Sequence, residues 1–226
     1  MPSGMKGIFC TRDFTEGIDG LPLSVYTRLV ELFPEAQVYC LRQIHSDVIV
    51  RAELCTPGEF PVADGILCQD PEPILCIRTA DCVPVLLWSK DVPCIGAVHA
   101  GWRGLAKGIV GKAIRMMHSL GARDVHVRLG PSIGPCCYEV GQDVVQALGL
   151  VMEPFREGTY RVDLAEIARR QAMEQNIPGD MIHGSLRCTC CHPREYFSYR
   201  RDGELAGRNI SLIGGTSCLL PGLRAE

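Results

Sequence analysis

The sequence predicts a fold that mixes α and β structure, and three observations carry the prediction. Short apolar, partly β-branched runs bounded by turn residues recur along the chain, as buried strands require. Segments with apolar residues at helical spacing are interspersed among them. No regular strand–helix–strand period is present, so pattern alone leaves α/β and α+β both open. The chain has 226 residues, 46% hydrophobic and 22% charged. That suits a globular protein with a full core, and the absence of a visible linker favours one domain over 1–226.

Taken in order, residues 7–11 read as a first strand. Leu21, Val25, Leu29, Leu32 and Phe33 mark a helix over 21–33, which Pro34 ends. Residues 38–41 and 48–50 read as short strands, 55–61 as a turn-rich loop and 74–77 as a strand. The central stretch, 78–104, holds two apolar runs, 83–88 and 94–98, separated by Ser89-Lys90-Asp91. Cys82 and Asp81 precede the first run. His99 follows the second, and then Gly101 and Gly104. A core has no need of titratable groups, and burying them unpaired is costly, so these strand ends describe a site.

The clearest helix is expected over 105–120, with Leu105, Ile109, Ala113, Ile114, Met117 and Leu120 on one face and Gly121 closing it. Gly108 and Gly111 inside it suggest close packing. Residues 125–129 read as a strand, 130–135 as a loop and 140–148 as a helix. Asp163, three residues before Glu166, reads as the cap of a helix over 164–175. Residues 188–193 form an irregular Cys-rich loop, and 197–199 and 210–213 read as the last strands around an Arg-rich turn.

Composition excludes several function classes. A net charge of −3 gives no electrostatic case for nucleic acid. No stretch reaches the roughly 18 consecutive apolar residues of a membrane span, and no signal-peptide pattern opens the chain. A cytoplasmic protein is expected. Thirteen cysteines, an odd number, argue against a disulfide framework, and those inside apolar runs read as small reduced core residues.

Several segments together resemble the laccase-domain (polyphenol-oxidase-like, YfiH-type) family of purine nucleoside enzymes. They are QIHSDVI at 43–49, ADGILCQ at 63–69, RTADC at 78–82, VHAGWRG at 98–104, LGPSIGPCCYEVG at 129–141 and FSYRRDG at 197–203 with Gly207-Arg208. They occur in the family's order. The resemblance implies a single α+β domain with mixed sheets and flanking helices, a fold akin to that of cysteine-dependent hydrolases. It also implies zinc, with copper as an alternative, on His45, Cys82 and His99. Gaps of 37 and 17 residues are no local metal motif, so spacing alone would not select these three. Two imidazoles and a thiolate do suit tetrahedral zinc with a fourth position open.

The activities implied are phosphorolysis of adenosine, inosine, guanosine and methylthioadenosine, and deamination of adenosine. Purine nucleosides and phosphate are the expected partners. Deamination needs a proton shuttle that is not a ligand. Asp64 and Asp81 are the candidates, although Asp64-Gly65 is also a common turn pair. Phosphorolysis needs cations. Among Arg78, Arg103, Lys107, Arg200, Arg201 and Arg208, the two flanking the central strands, Arg78 and Arg103, rank first. Arg208 matches the family motif, although Ala206 stands where threonine is expected. Gln43, two residues before His45, is a candidate for orienting substrate.

The competing class is a cysteine hydrolase with Cys82 as nucleophile and His99 as base, including an amidase acting on cell-wall precursors. A multi-copper oxidase is disfavoured, because six histidines are few for several coppers. Cys136-Cys137 reads as structural. Cys188 with Thr189 matches the family, whereas Cys190, Cys191 and His192 depart from it. These last are too closely spaced for an ordinary paired zinc motif and read as incidental, with a second metal site as the alternative.

Overall fold

The computed structural model describes residues 5–15, 19–185 and 187–215. In chain order it contains β1 (Met5–Phe9), α1 (Arg12–Thr15), α2 (Pro22–Leu32), β2 (Val38–Cys40), β3 (Ile49–Arg51), β4 (Gly65–Cys68) and β5 (Ile74–Thr79). The central stretch supplies β6 (Val83–Ser89), β7 (Ile95–Ala100) and α3 (Trp102–Ala106). Then come α4 (Ile109–Ser119), β8 (Val125–Leu129), β9 (Glu139–Val140), α5 (Gln142–Ala147), β10 (Tyr160–Arg161), α6 (Leu164–Met173), β11 (Ile182–Gly184), α7 (Tyr199–Asp202) and β12 (Asn209–Gly215).

Two mixed sheets organise the chain. The larger has the order β11-β8-β6-β7-β4-β3, the smaller β1-β12-β5-β2, and β9 pairs separately with β10. Strands β5 and β12 pack across β6 and β7, so the two sheets lie face to face. Alternation along each strand sorts the side chains. In β6, Val83, Val85 and Leu87 face the helices α3 to α6, while Leu86 and Trp88 enter the layer between the sheets. In β7, Val98 and Ala100 face the helices, while Ile95 and Ala97 face the smaller sheet. Helix α2 covers the outer face of the smaller sheet with Val25 and Leu29, against Ile8, Cys40, Cys76 and Leu212. The architecture is therefore mixed α and β in four layers, helix–sheet–sheet–helix.

Local chemistry explains where the expected elements shift. The helix expected over 105–120 is two helices. Gly108 adopts φ +74 between them, where a Cβ would meet nothing within 4 Å. It is a left-handed joint, not a packing glycine. Gly111 is the close-packed one, since a Cβ there would lie 3.2 Å from Gln175 Nε2. Residues 139–140 pair with β10, so the helix expected from 140 starts at Gln142. The cap at Asp163 holds, with its Oδ1 accepting the Glu166 N–H at 3.0 Å. Residues 197–199 are not a strand. Ser198 caps α7 by accepting the Arg201 N–H, and the Asn209 side chain holds both the N–H and C=O of Phe197.

Candidate active site

The antiparallel pair β6–β7 brings two reactive groups together. Pro84 lies opposite His99 and Val83 opposite Ala100, so Cys82, one residue before β6, comes beside the exit of β7. The alternation places Cys82 and His99 on the face that looks between the sheets. Asp64, one residue before β4, continues the same face as Ile66 and Cys68. The apolar layer between the sheets thus gives way at one end to a carboxylate, a thiol and an imidazole.

His45 arrives on the loop between β2 and β3, and Asp64 holds that loop. The buried Asp64 carboxylate accepts the backbone N–H groups of Ile44 (3.2 Å), His45 (3.0 Å) and Ser46 (2.6 Å), and the Ser46 hydroxyl (2.6 Å). These bonds keep His45 at φ +59, a left-handed conformation that a non-glycine residue rarely adopts without support. Asp64 Oδ1 also meets His99 Nδ1 at 2.8 Å. Burial alone would raise the Asp64 carboxyl. The hydrogen bonds of His99 and Ser46 outweigh it and bring the group down to about 2.

The ligand atoms of His45, Cys82 and His99 all lie within 4.8 Å of one another. With His99 Nδ1 engaged by Asp64, Nε2 is the nitrogen free to face the cluster. Gly101 opens the room they need, because a Cβ there would sit 3.0 Å from both Cys82 Sγ and His45 Cδ2. Cys82 and His99 shift one another. Burial raises the Cys82 thiol, but the His99 charge and hydrogen bonds from His45 and His99 bring it down to about 6. Burial lowers His99, but Cys82 and Asp64 raise it to about 9. The donor set, its convergence and a carboxylate behind one imidazole all fit a tetrahedral zinc or copper ion with one position left for substrate.

The other residues singled out from the sequence are placed as follows. Asp81 adopts φ +90, and its carboxylate accepts the Thr189 hydroxyl at 2.6 Å and the Arg200 N–H at 2.7 Å. Gln43 spends both ends of its amide on the backbone of Arg78, at 2.7 and 2.9 Å. The Arg78 guanidinium donates to the carbonyls of Gly20 and Leu41, and burial lowers its pKa. Arg208 donates to the carbonyls of Ala206 and Gly207. Arg200 and Arg201 likewise donate to carbonyls, those of Cys137 and Glu139 and those of Thr189, Cys190 and Tyr196. Lys107 pairs with Asp47. Arg103 differs. It is exposed on the first turn of α3, its guanidinium lies over the Trp102 ring at 4.3 Å, and it makes no hydrogen bond or ion pair among the described residues.

Two contributors escaped the sequence reading. Ser46 closes the carboxylate cage, and Tyr138 stands near enough to feel the charge of Cys82, its hydroxyl pushed up to about 12 by burial and then by that thiolate. Both lie inside the motif segments 43–49 and 129–141, which was the available signal.

Fold and site define a class: face-to-face mixed sheets with a His–Cys–His cluster closing the layer between them. The sequence model of the family described as "Multi-copper polyphenol oxidoreductase laccase" matches residues 25–216, and the chain belongs to this laccase-like, YfiH-type family. It is 33% identical over 201 residues to a Geobacillus stearothermophilus protein named purine nucleoside phosphorylase YlmD, covering 80% of this chain and 73% of that one. The crystal structure of YlmD from the same species superposes with a TM-score of 0.82 at 29% identity, covering 95% and 94% of the two chains. That of Bacillus licheniformis YfiH gives 0.82 at 26% identity, covering 93% and 92%. No helix among the described residues is long and apolar enough to cross a membrane.

Proposed function

We propose that this chain is a zinc-dependent purine nucleoside phosphorylase acting on adenosine, inosine, guanosine and methylthioadenosine in the cytoplasm. The observation that carries the reading is the convergence of His45, Cys82 and His99 with Asp64 fixed behind His99. The names of the similar proteins supply the substrate class.

His45, Cys82 and His99 hold the ion, and copper is the alternative occupant. Zinc supplies a Lewis acid at the open position when bound. Asp64 is a positioning residue. It fixes the His99 ring and the His45 backbone, and the His99 contact keeps Nε2 as the ligand atom. Arg103, whose guanidinium makes no hydrogen bond or ion pair among the described residues, binds phosphate. A phosphate oxygen bonds to the anomeric ribose carbon as the glycosidic C–N bond breaks, and the proton of the hydrogen phosphate ends on the departing base.

Deamination of adenosine is the minor activity in this reading. It needs a carboxylate free to shuttle protons, and Asp64 and Asp81 are the two at hand. Both are already engaged by donors.

One observation favours a second reading. Asp64, His99 and Cys82 are also arranged as a carboxylate–imidazole–thiol series, with the thiol depressed to about 6, which suits a cysteine hydrolase. His45 is the residue that such a mechanism leaves without a task. The discriminating experiment gives purified protein adenosine with and without phosphate, before and after chelation, and separates adenine, inosine and substrate. Phosphate-dependent adenine, lost on chelation and in His45→Ala, is the expected result. Turnover that survives chelation but not alkylation of Cys82 would overturn it.

A further inference from the structure

A second set of soft ligands lies outside this site. The sulfur atoms of Cys136, Cys137, Cys188 and Cys191 all fall within 4.8 Å of one another. Cys191 Sγ is 3.6 Å from Cys136 Sγ and 3.3 Å from Cys137 Sγ. Four thiolates at zinc–sulfur distances of about 2.3 Å around one ion stand roughly 3.8 Å apart; the two Cys191 separations come close to that, and no pair of the four sulfurs is more than 4.8 Å apart.

The backbone is arranged to match. Cys188 and Cys191 have the C-x-x-C spacing of a zinc-binding turn. That turn is closed by the His192 N–H on the Cys188 carbonyl, with His192 Nδ1 on the same oxygen. The Gly134 N–H points at Cys188 Sγ, at 3.2 Å. The opposing pair comes from a loop joined to the turn by a hydrogen bond from Thr189 N to Ser132 O, at 3.0 Å. Arg201 fixes the turn from behind through the carbonyls of Thr189 and Cys190.

From this geometry we propose that Cys136, Cys137, Cys188 and Cys191 form a structural tetrathiolate zinc site, distinct from the His45–Cys82–His99 cluster. Four protein sulfurs leave no open position, so the site clips loops together and does no chemistry. A disulfide accounts for the arrangement less well. Cys191 lies almost equally near two partners, and one bond would strand two more sulfurs against it. The clip has a use. Thr189, between the two turn cysteines, donates to Asp81, the residue before Cys82, and Tyr138 follows Cys137. The ion thereby fixes two walls of the active site.

The test is zinc content and thiol mapping on the whole chain, purified under anaerobic reducing conditions with one zinc equivalent per site offered. Two equivalents are expected in the unmodified protein and one in the C136S/C191S double variant. One is also expected in Cys82→Ala, where the remaining ion is the tetrathiolate one. Cys190→Ser should keep both. Cadmium titrated into Cys82→Ala should give thiolate-to-metal charge-transfer absorbance that is absent when C136S and C191S are added. Alkylation mapping on the unmodified protein, which needs no variant to fold, should show Cys136 and Cys191 protected by zinc and Cys190 not.

The proposal is overturned by equal zinc content in the unmodified and C136S/C191S proteins, or by unprotected Cys136 and Cys191. A disulfide from Cys191 to either neighbour under these conditions would also overturn it. Failure of the active-site reading is distinguishable: the unmodified protein would then hold one equivalent that survives Cys82→Ala and disappears in C136S/C191S.

Discussion

Asp64 and His99 are joined twice. The Asp64 carbonyl accepts the His99 backbone N–H at 2.7 Å, and the Asp64 carboxylate meets the His99 ring at 2.8 Å. The first bond fixes where the residue sits and the second how its ring turns. Because the same carboxylate also holds three amides of the His45 loop, one side chain sets the position of two imidazoles.

Asp64→Asn should therefore keep the fold but lose zinc affinity by about 10- to 100-fold, the usual cost of removing the partner of a metal-bound imidazole. Competition with a chromophoric chelator reads this directly. Asp64→Ala should lose about 3 kcal/mol or more of stability, because it leaves several buried donors and an imidazole without their acceptor.

Acid should act through the same residue. Its carboxyl is held at about 2, below the ordinary 3.8. A depressed carboxyl contributes stability that is present above its unfolded value and is lost as pH falls through its folded one. Urea unfolding of metal-free protein between pH 4 and pH 2 should show a loss of roughly 2 kcal/mol that Asp64→Asn lacks.

Gly101→Ala isolates the room around the His45–Cys82–His99 cluster. Gly101 has φ −78, which any residue adopts. Alanine there strains no backbone, but its methyl would press on Cys82 and His45 at 3.0 Å. Zinc affinity should fall at least tenfold while the Tm of chelated protein changes by only a few degrees.

Cys82 in chelated protein should react with iodoacetamide along a curve that rises through about pH 6, well below an ordinary thiol, because His99 and His45 stabilise its thiolate. Zinc should suppress the reaction at every pH on that curve. Mass mapping of Cys82 after short exposures gives both results.

Arg103→Gln should raise KM for phosphate about tenfold or more, with KM for the nucleoside and zinc content unchanged, as loss of one charged contact to an oxyanion implies. Arg208→Gln should have a smaller effect on phosphate, since its guanidinium is spent on the carbonyls of Ala206 and Gly207.

Much of the fold was legible because it is written locally. The runs that became β6 and β7 are apolar and β-branched, and the Asp163 cap is a three-residue signal. What was missed depends on partners far along the chain. Residues 65–68 are apolar enough for a strand, but their pairing with β7 comes from across the sheet. Gly108 reads as a helix interior until its φ is known. In the site, spacing could not select His45, Cys82 and His99, and the family resemblance did. The pair Asp64-Gly65 has the look of a turn, because nothing local shows that donors 18 to 20 residues earlier and 35 later will converge on one carboxylate. Likewise the convergence of Cys188 and Cys191 with Cys136 and Cys137 joins residues 51 or more positions apart, which no local spacing shows.

The register of β6 against β7 has a consequence for assembly. A slip of one residue would turn every side chain of the shifted strand to the opposite face. It would expel Ile95 and Ala97 from the layer between the sheets in the same movement that swung His99 away from Asp64. Misfolded copies with an intact core but a scrambled centre are thereby selected against without any separate inspection step. A chain that has set this register has, by that act, also brought His99 beside Cys82 and Asp64.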